Sequence, residues 1–137
     1  MNLTIVGNTF KIDRHRLEKV AKATFSFMGD LEGNIELKFI SINKMIEINN
    51  IYRRINMPTD VLSFSLSKSP LVGQVFICYT YTKNQATFMG KELIDEVSLL
   101  LVHGILHIYG LDHKSKDDEN KMQNFESKIL KAEEISR

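Results

Sequence analysis

Residues 103–113 read His-Gly-Ile-Leu-His-Ile-Tyr-Gly-Leu-Asp-His and place three of the chain's four histidines where one metal ion can hold them all. His103 and His107 are four residues apart, so on a helix both imidazoles project from one face, one turn above the other. Gly110 is the residue type that can end a helix in a left-handed conformation, letting the chain fold back so that His113 approaches from outside the helix. Three nitrogen ligands with a fourth position open describe a catalytic zinc site, whereas structural zinc is closed by four ligands rich in cysteine. A single Cys in the chain removes the closed alternative.

One histidine alone is more often packing or surface, and a pair four apart can be coincidence. Three with a breaker between them are harder to dismiss. The preceding run Val97-Ser98-Leu99-Leu100-Leu101-Val102 is apolar enough to bury the helix that carries them. Imidazoles buried there without partners or metal would be costly. The spacing also fits the zincin pattern His-Glu-x-x-His-x-x-Gly-x-x-His, except that Gly104 stands where a peptidase has its Glu. That Glu takes the proton from zinc-bound water in peptidases, so its absence disfavours peptide hydrolysis by that route.

These residues must be positioned by one domain, residues 1–137, in which 43% apolar residues suffice for a core. The first residues lack the basic start and apolar run of a secretory signal. No stretch of about 18 apolar residues is long enough to span a membrane. A soluble, cytoplasmic protein without membrane contact is expected. Cys78, inside Val75-Phe76-Ile77-Cys78-Tyr79, reads as a buried free thiol, which suits a reducing compartment. A net charge of +1 gives no bulk field for nucleic acid, so a polyanion would be held by local clusters such as Arg53-Arg54 or Lys114 and Lys116. Pairs of this kind are more commonly solvated surface.

Along the chain, residues 2–6 suit a strand, and Asp13 caps a helix with Leu17, Val20, Ala21, Thr24 and Phe25 on one face, ended by Gly29. Ile35, Leu37 and Phe39 alternate with Glu36 and Lys38 as in a half-buried strand. Asn43 offers an N-cap to a helix with Met45, Ile46, Ile48 and Ile51 inward, which must stop before Pro58 and so ends near Arg53. Val61 to Leu66 and Gln74 to Tyr79 read as a hairpin joined by a Ser69-Pro70 turn and Gly73. Helices follow near 82–89, ended by Gly90, over 91–109, and over about 116–135. Ser115 and Asp118 give the last a capping-box pattern, and Met122, Phe125, Ile129 and Leu130 form its inward stripe. The expected fold is α+β: a mixed four-stranded sheet packed with about five helices, with a zincin-like metal helix at its centre.

Two blocks of residues make the chain resemble the YbeY family of zinc-dependent endoribonucleases. They are Tyr52-Arg53 followed by Pro58-Thr59-Asp60-Val61-Leu62-Ser63-Phe64, and His103-Gly104-x-Leu106-His107-x-x-Gly110-x-Asp112-His113. The resemblance covers the domain from about residue 35 onward. It implies that His103, His107 and His113 hold one Zn2+ per chain and that Arg53 and His103 are catalytic. It also implies a single-stranded RNA substrate, ribosomal RNA or ribosomal subunits as partners, and a role in maturing the small-subunit RNA 3′ end and in ribosome quality control. Where the family has Gly-Asp-Ile, this chain has Gly73-Gln74-Val75, which puts any role for an acid at position 74 in doubt.

Several other residues carry less decisive signals. Asp112 either orients an imidazole or serves the turn. Glu96, about two turns before His103, reads as a solvated first-turn acid complementing the helix dipole. His15 reads as an exposed helix residue. Thr59, Asp60 and Ser63 either position RNA and the Arg53 loop or cap that loop. The functions in competition are a zinc endoribonuclease, a zincin-type hydrolase or peptidase, which Gly104 opposes, and a ribosome-associated factor with structural zinc.

Overall fold

The computed structural model describes residues 2–7, 12–29, 33–66, 71–109 and 116–135. The Ser69-Pro70 turn, Gly110, Asp112, His113, Lys114 and Ser115 lie outside the described residues. Four strands and five helices run in the order β1 (Asn2–Val6), α1 (Arg14–Phe27), β2 (Asn34–Ile40), α2 (Ile42–Arg53), β3 (Val61–Ser65), β4 (Leu71–Cys78), α3 (Tyr79–Met89), α4 (Leu93–Ile108) and α5 (Lys116–Ala132). The sheet order is β1-β2-β4-β3. Strands β1, β2 and β4 are parallel, and β3 pairs antiparallel with β4 as the hairpin partner, leaving β3 at the sheet edge. This is the mixed four-stranded α+β arrangement that the hydrophobic periodicity predicts.

The period-2 alternation of the strands decides which helices cover which face. Ile35, Leu37, Phe39, Val75 and Ile77 point to one side and bury Leu17, Ala21 and Phe25 of α1 with Val97, Leu101 and Ile105 of α4. The other side carries Leu62, Phe76 and Cys78 and is covered by Met45 and Ile48 of α2. A third cluster joins Val20 of α1, Val102 and Leu106 of α4, and Met122, Ile129 and Leu130 of α5. Helix α4 is therefore packed between the sheet and α5. Burying one Leu, Ile or Val fully is worth about 1.5–3 kcal/mol. With Val97, Leu101, Val102, Ile105 and Leu106 all inaccessible, α4 gives firm support to side chains on its remaining face. None of the helices, among the described residues, is long and apolar enough to cross a membrane.

Close approach of α4 to the sheet rests on two glycines. A Cβ on Gly104 would stand 2.9 Å from both Ser63 Oγ and Val75 Cγ1, and one on Gly73 would stand 2.7 Å from Ile108 Cδ1 and 2.9 Å from the Phe64 carbonyl oxygen. Both distances are below ordinary carbon contact. Gly73, read from sequence as part of the hairpin turn, instead lies inside β4, where the end of α4 crosses it.

Several local expectations hold. Asp13 Oδ1 accepts from the Arg16 amide at 3.1 Å to cap α1, and Gly90 adopts the left-handed conformation after α3. Other expectations require correction. Ser41, not Asn43, caps α2, its Oγ accepting from the Lys44 amide at 3.1 Å. Ile51, expected inward, is 64% exposed, and Asn49 takes the buried place. The Asn49 Nδ2 donates to the Met57 carbonyl at 2.8 Å, so the chain after Arg54 folds back under that side of the helix. Helix α3 begins at Tyr79, immediately after β4, rather than near residue 82. Glu96 is not solvated: it is 1% exposed, and Lys91 Nζ lies 3.5 Å from its Oε1. A carboxylate removed from water needs a cation beside it, and Lys91, just before α4, supplies it.

Candidate active site

On the side of α4 that faces the cleft, His103 and His107 stand one turn apart with ring centroids 4.5 Å apart and planes at 66°. Their Nε2 atoms are 2.9 Å apart. Neutral imidazole bears one lone pair, and two lone pairs do not face each other at this distance unless a proton or a cation lies between them. The second ring nitrogen of His103 decides its tautomer. Nδ1 lies 2.6 Å from Oε1 of Glu126 on α5. A carboxylate accepts, so the contact suits an Nδ1–H donor and leaves Nε2 directed toward His107. This is how protein carboxylates prepare metal-ligating histidines, fixing the ring and raising its basicity.

The donor chemistry suits zinc, which takes imidazole nitrogen readily. Among the described residues no group of three His, Cys, Asp or Glu side chains is close enough to hold a metal ion. The described site thus supplies two nitrogen donors and the carboxylate that orients one of them. The third expected ligand, His113, falls outside the described residues, as does Asp112 with its two readings.

Arg53 joins the histidine pair from a different element. As the last residue of α2, it lines, with Asp60, Ser63, His103 and His107, a cleft of about 330 Å³ at the edge of the sheet. Arg54 occupies the left-handed C-cap position of the helix and does not line that cleft. The loop between α2 and β3 is fastened by Asp60. Its Oδ1 accepts from the Val61 amide at 2.8 Å and from Thr59 Oγ1 at 3.4 Å, while Oδ2 accepts from Gln85 Nε2 at 3.2 Å. Its carbonyl accepts from the Cys78 amide at 2.9 Å. Asp60 thus fastens the loop and also lines the cleft with the histidines. The fold brings Arg53, His103 and His107 to one cleft.

Sequence reasoning missed Glu126. It sits within the stripe formed by Met122, Ile129 and Leu130, where it is nearly as inaccessible as its apolar neighbours. A carboxylate four residues after Met122 on the inward face of an otherwise solvated charged helix was the available signal. Gly104 also has a second meaning. Position 104 faces β3 and β4, where even a Cβ would press on Ser63 Oγ and Val75, so the packing leaves no room for a glutamate side chain there. Packing as well as residue type thus disfavours the zincin peptidase route that needs a Glu at this position.

Two further residues settle as expected or with a reason. Cys78 is buried, and its thiol pKa is raised chiefly by desolvation, so it stays protonated and inert. Gln74 donates from Nε2 to Glu36 Oε1 at 3.2 Å across the paired strands β2 and β4. An acid at 74 would set a second carboxylate against Glu36, and the amide avoids that repulsion.

Residues 3–134 match the family model described as Endoribonuclease YbeY. Proteins named Endoribonuclease YbeY are similar over nearly the full length of both chains. That of Acholeplasma laidlawii is 31% identical over 132 residues, covering 95% of this chain and 96% of the relative. That of Phytoplasma australiense is 32% identical over 145 residues, covering 100% and 99%. Among solved structures, the solution structure of TM1509 from Thermotoga maritima superposes with a TM-score of 0.64 at 22% identity. It covers 95% of this chain and 90% of that one, a likeness of fold.

Proposed function

Because the chain belongs to the YbeY family of endoribonucleases, we propose that it is a zinc-dependent endoribonuclease cleaving single-stranded RNA. We further propose that it acts in the cytoplasm on ribosomal RNA, in maturation of the small-subunit 3′ end and in ribosome quality control. The observation that carries this reading is the cleft in which the facing Nε2 atoms of His103 and His107, 2.9 Å apart, share walls with Arg53. His103 and His107, with His113, would hold one zinc ion. Bound there, zinc would polarise a phosphoryl oxygen and bring the pKa of a water to about 7.

The remaining work falls to the chain's own side chains. Arg53 binds the scissile phosphate through two parallel N–H donors and stabilises the charge that builds on its oxygens. Its place at the end of α2, tied to a loop that Asp60 fastens, keeps it on the cleft wall without burying it. Glu126 holds the His103 ring by its Nδ1 hydrogen, so the imidazole cannot rotate away. His103 is catalytic in the sense that it is both ligand and part of the wall the phosphate meets.

The test is to incubate zinc-loaded protein, side by side, with labelled single-stranded RNA and labelled unfolded protein. Internal cleavage of RNA with intact protein substrate is expected. Zinc-dependent cleavage of the protein substrate would overturn the reading in favour of a zincin-type hydrolase. Cleavage of neither would leave the family's fold used as a ribosome-associated factor.

A further inference from the structure

Adjacent residues of α2 and of β3 line the cleft of the histidines and a second groove on the other face of the sheet. Arg53 and Ser63 line the first, while their neighbours Tyr52 and Phe64 line the second, a groove of about 500 Å³. Tyr52 is 67% exposed, yet its ring is not loose on the surface. It packs on Phe64 with centroids 4.8 Å apart and planes tilted 55°, and Phe64 packs edge-on against Phe76 at 5.7 Å. Three rings in series thus support one aromatic face that remains open to solvent. Lys38 and Lys44 bring positive charge to the same groove, with Glu47 3.5 Å from Lys44 offsetting part of it. Gln74, held by Glu36, contributes a neutral amide where the resembled family has an acid.

We propose that this groove is a subsite for single-stranded RNA next to the scissile phosphate, in which an unpaired base stacks on Tyr52 and a neighbouring phosphate meets Lys38. The proposal rests on the endoribonuclease reading. A buttressed, exposed ring gives sequence-tolerant stacking, and lysines beside it track the backbone, the combination by which proteins hold single strands. Continuity is supplied by the chain itself: Tyr52 and Arg53 are adjacent, as are Ser63 and Phe64 on β3, so RNA leaving the Arg53 cleft crosses the edge strand into the groove. Duplex RNA keeps its bases paired and stacked, and has none to offer Tyr52.

The test is fluorescence anisotropy with zinc-loaded protein and a labelled phosphorothioate oligouridylate of about eight nucleotides, verified intact after each titration. Tyr52→Ala should weaken binding about 5- to 150-fold, the range for loss of one base stack. Tyr52→Phe should bind nearly as well as the unaltered protein. Phe88→Ala removes a 92% exposed aromatic that lines neither cleft and should change nothing. Lys38→Ala should lower the slope of log affinity against log salt by about 0.7, whereas Tyr52→Ala should leave it in place. Unchanged affinity in Tyr52→Ala, while the protein still cleaves RNA, would overturn the groove and spare the nuclease. Equal affinity for a duplex of the same length would overturn it too, as would a dimer lost in Tyr52→Ala with RNA binding intact. Failure of the unaltered protein to bind or cleave any RNA would overturn the groove and the nuclease together.

Discussion

His107→Ala is expected to abolish zinc binding and, with it, cleavage of single-stranded RNA, while the protein remains folded. The fold should survive because His107 faces the cleft, whereas the stability of α4 comes from Val97, Leu101, Ile105 and Leu106 on its other sides. Alanine is also the best helix former. Metal analysis of the purified variant reads the first effect, and circular dichroism confirms the second. Glu126→Gln completes the series. The amide keeps the shape but removes the carboxylate that fixes the His103 tautomer, so zinc affinity should fall about 10–100-fold without being lost. Full zinc in His107→Ala would remove that residue from the ligand set. Undiminished affinity in Glu126→Gln would mean that the 2.6 Å contact does not tune the metal.

Arg53→Ala should behave in the opposite way, retaining zinc and melting temperature but losing cleavage by about 10²–10³-fold, the usual loss for one contact to transition-state charge. The side chain is exposed at the end of α2, so its removal leaves no cavity. Arg53→Lys should restore only part of the rate, because an ammonium cannot reproduce the two-pronged guanidinium contact. Arg54→Ala is the matched control: the same charge is removed one residue on, where the chain turns out of the helix and away from the cleft. Equal losses in Arg53→Ala and Arg54→Ala would point to a diffuse electrostatic patch instead of a clamp.

Much of the arrangement was legible because it is written in local patterns. The four-residue spacing of His103 and His107 fixes their shared face, Asp13 announces α1, and alternation in residues 35–39 gives the central strand. Features that depend on which element packs against which were not legible. Glu126 is 23 residues beyond His103 and looks like one more charge on a charged helix until α5 lies against α4. Gly104 signalled a missing base, but its steric role needs the strands beneath it. An isolated glycine near a Pro reads as part of a turn, whereas Gly73 lies inside β4 and admits Ile108. Asn49 displaced Ile51 from the buried side of α2 because a backbone carbonyl, Met57, needed its amide. Glu96 was read as solvated because the sequence does not show that Lys91 folds in beside it.

The most direct test of the central claim is a zinc titration of the stripped protein, following cleavage of a single-stranded RNA alongside bound metal. The account predicts no cleavage without zinc, recovery that rises in step with occupancy, and a plateau at about one ion per chain. Cleavage that persists in fully stripped protein, or that fails to return when one zinc per chain is bound, would contradict it.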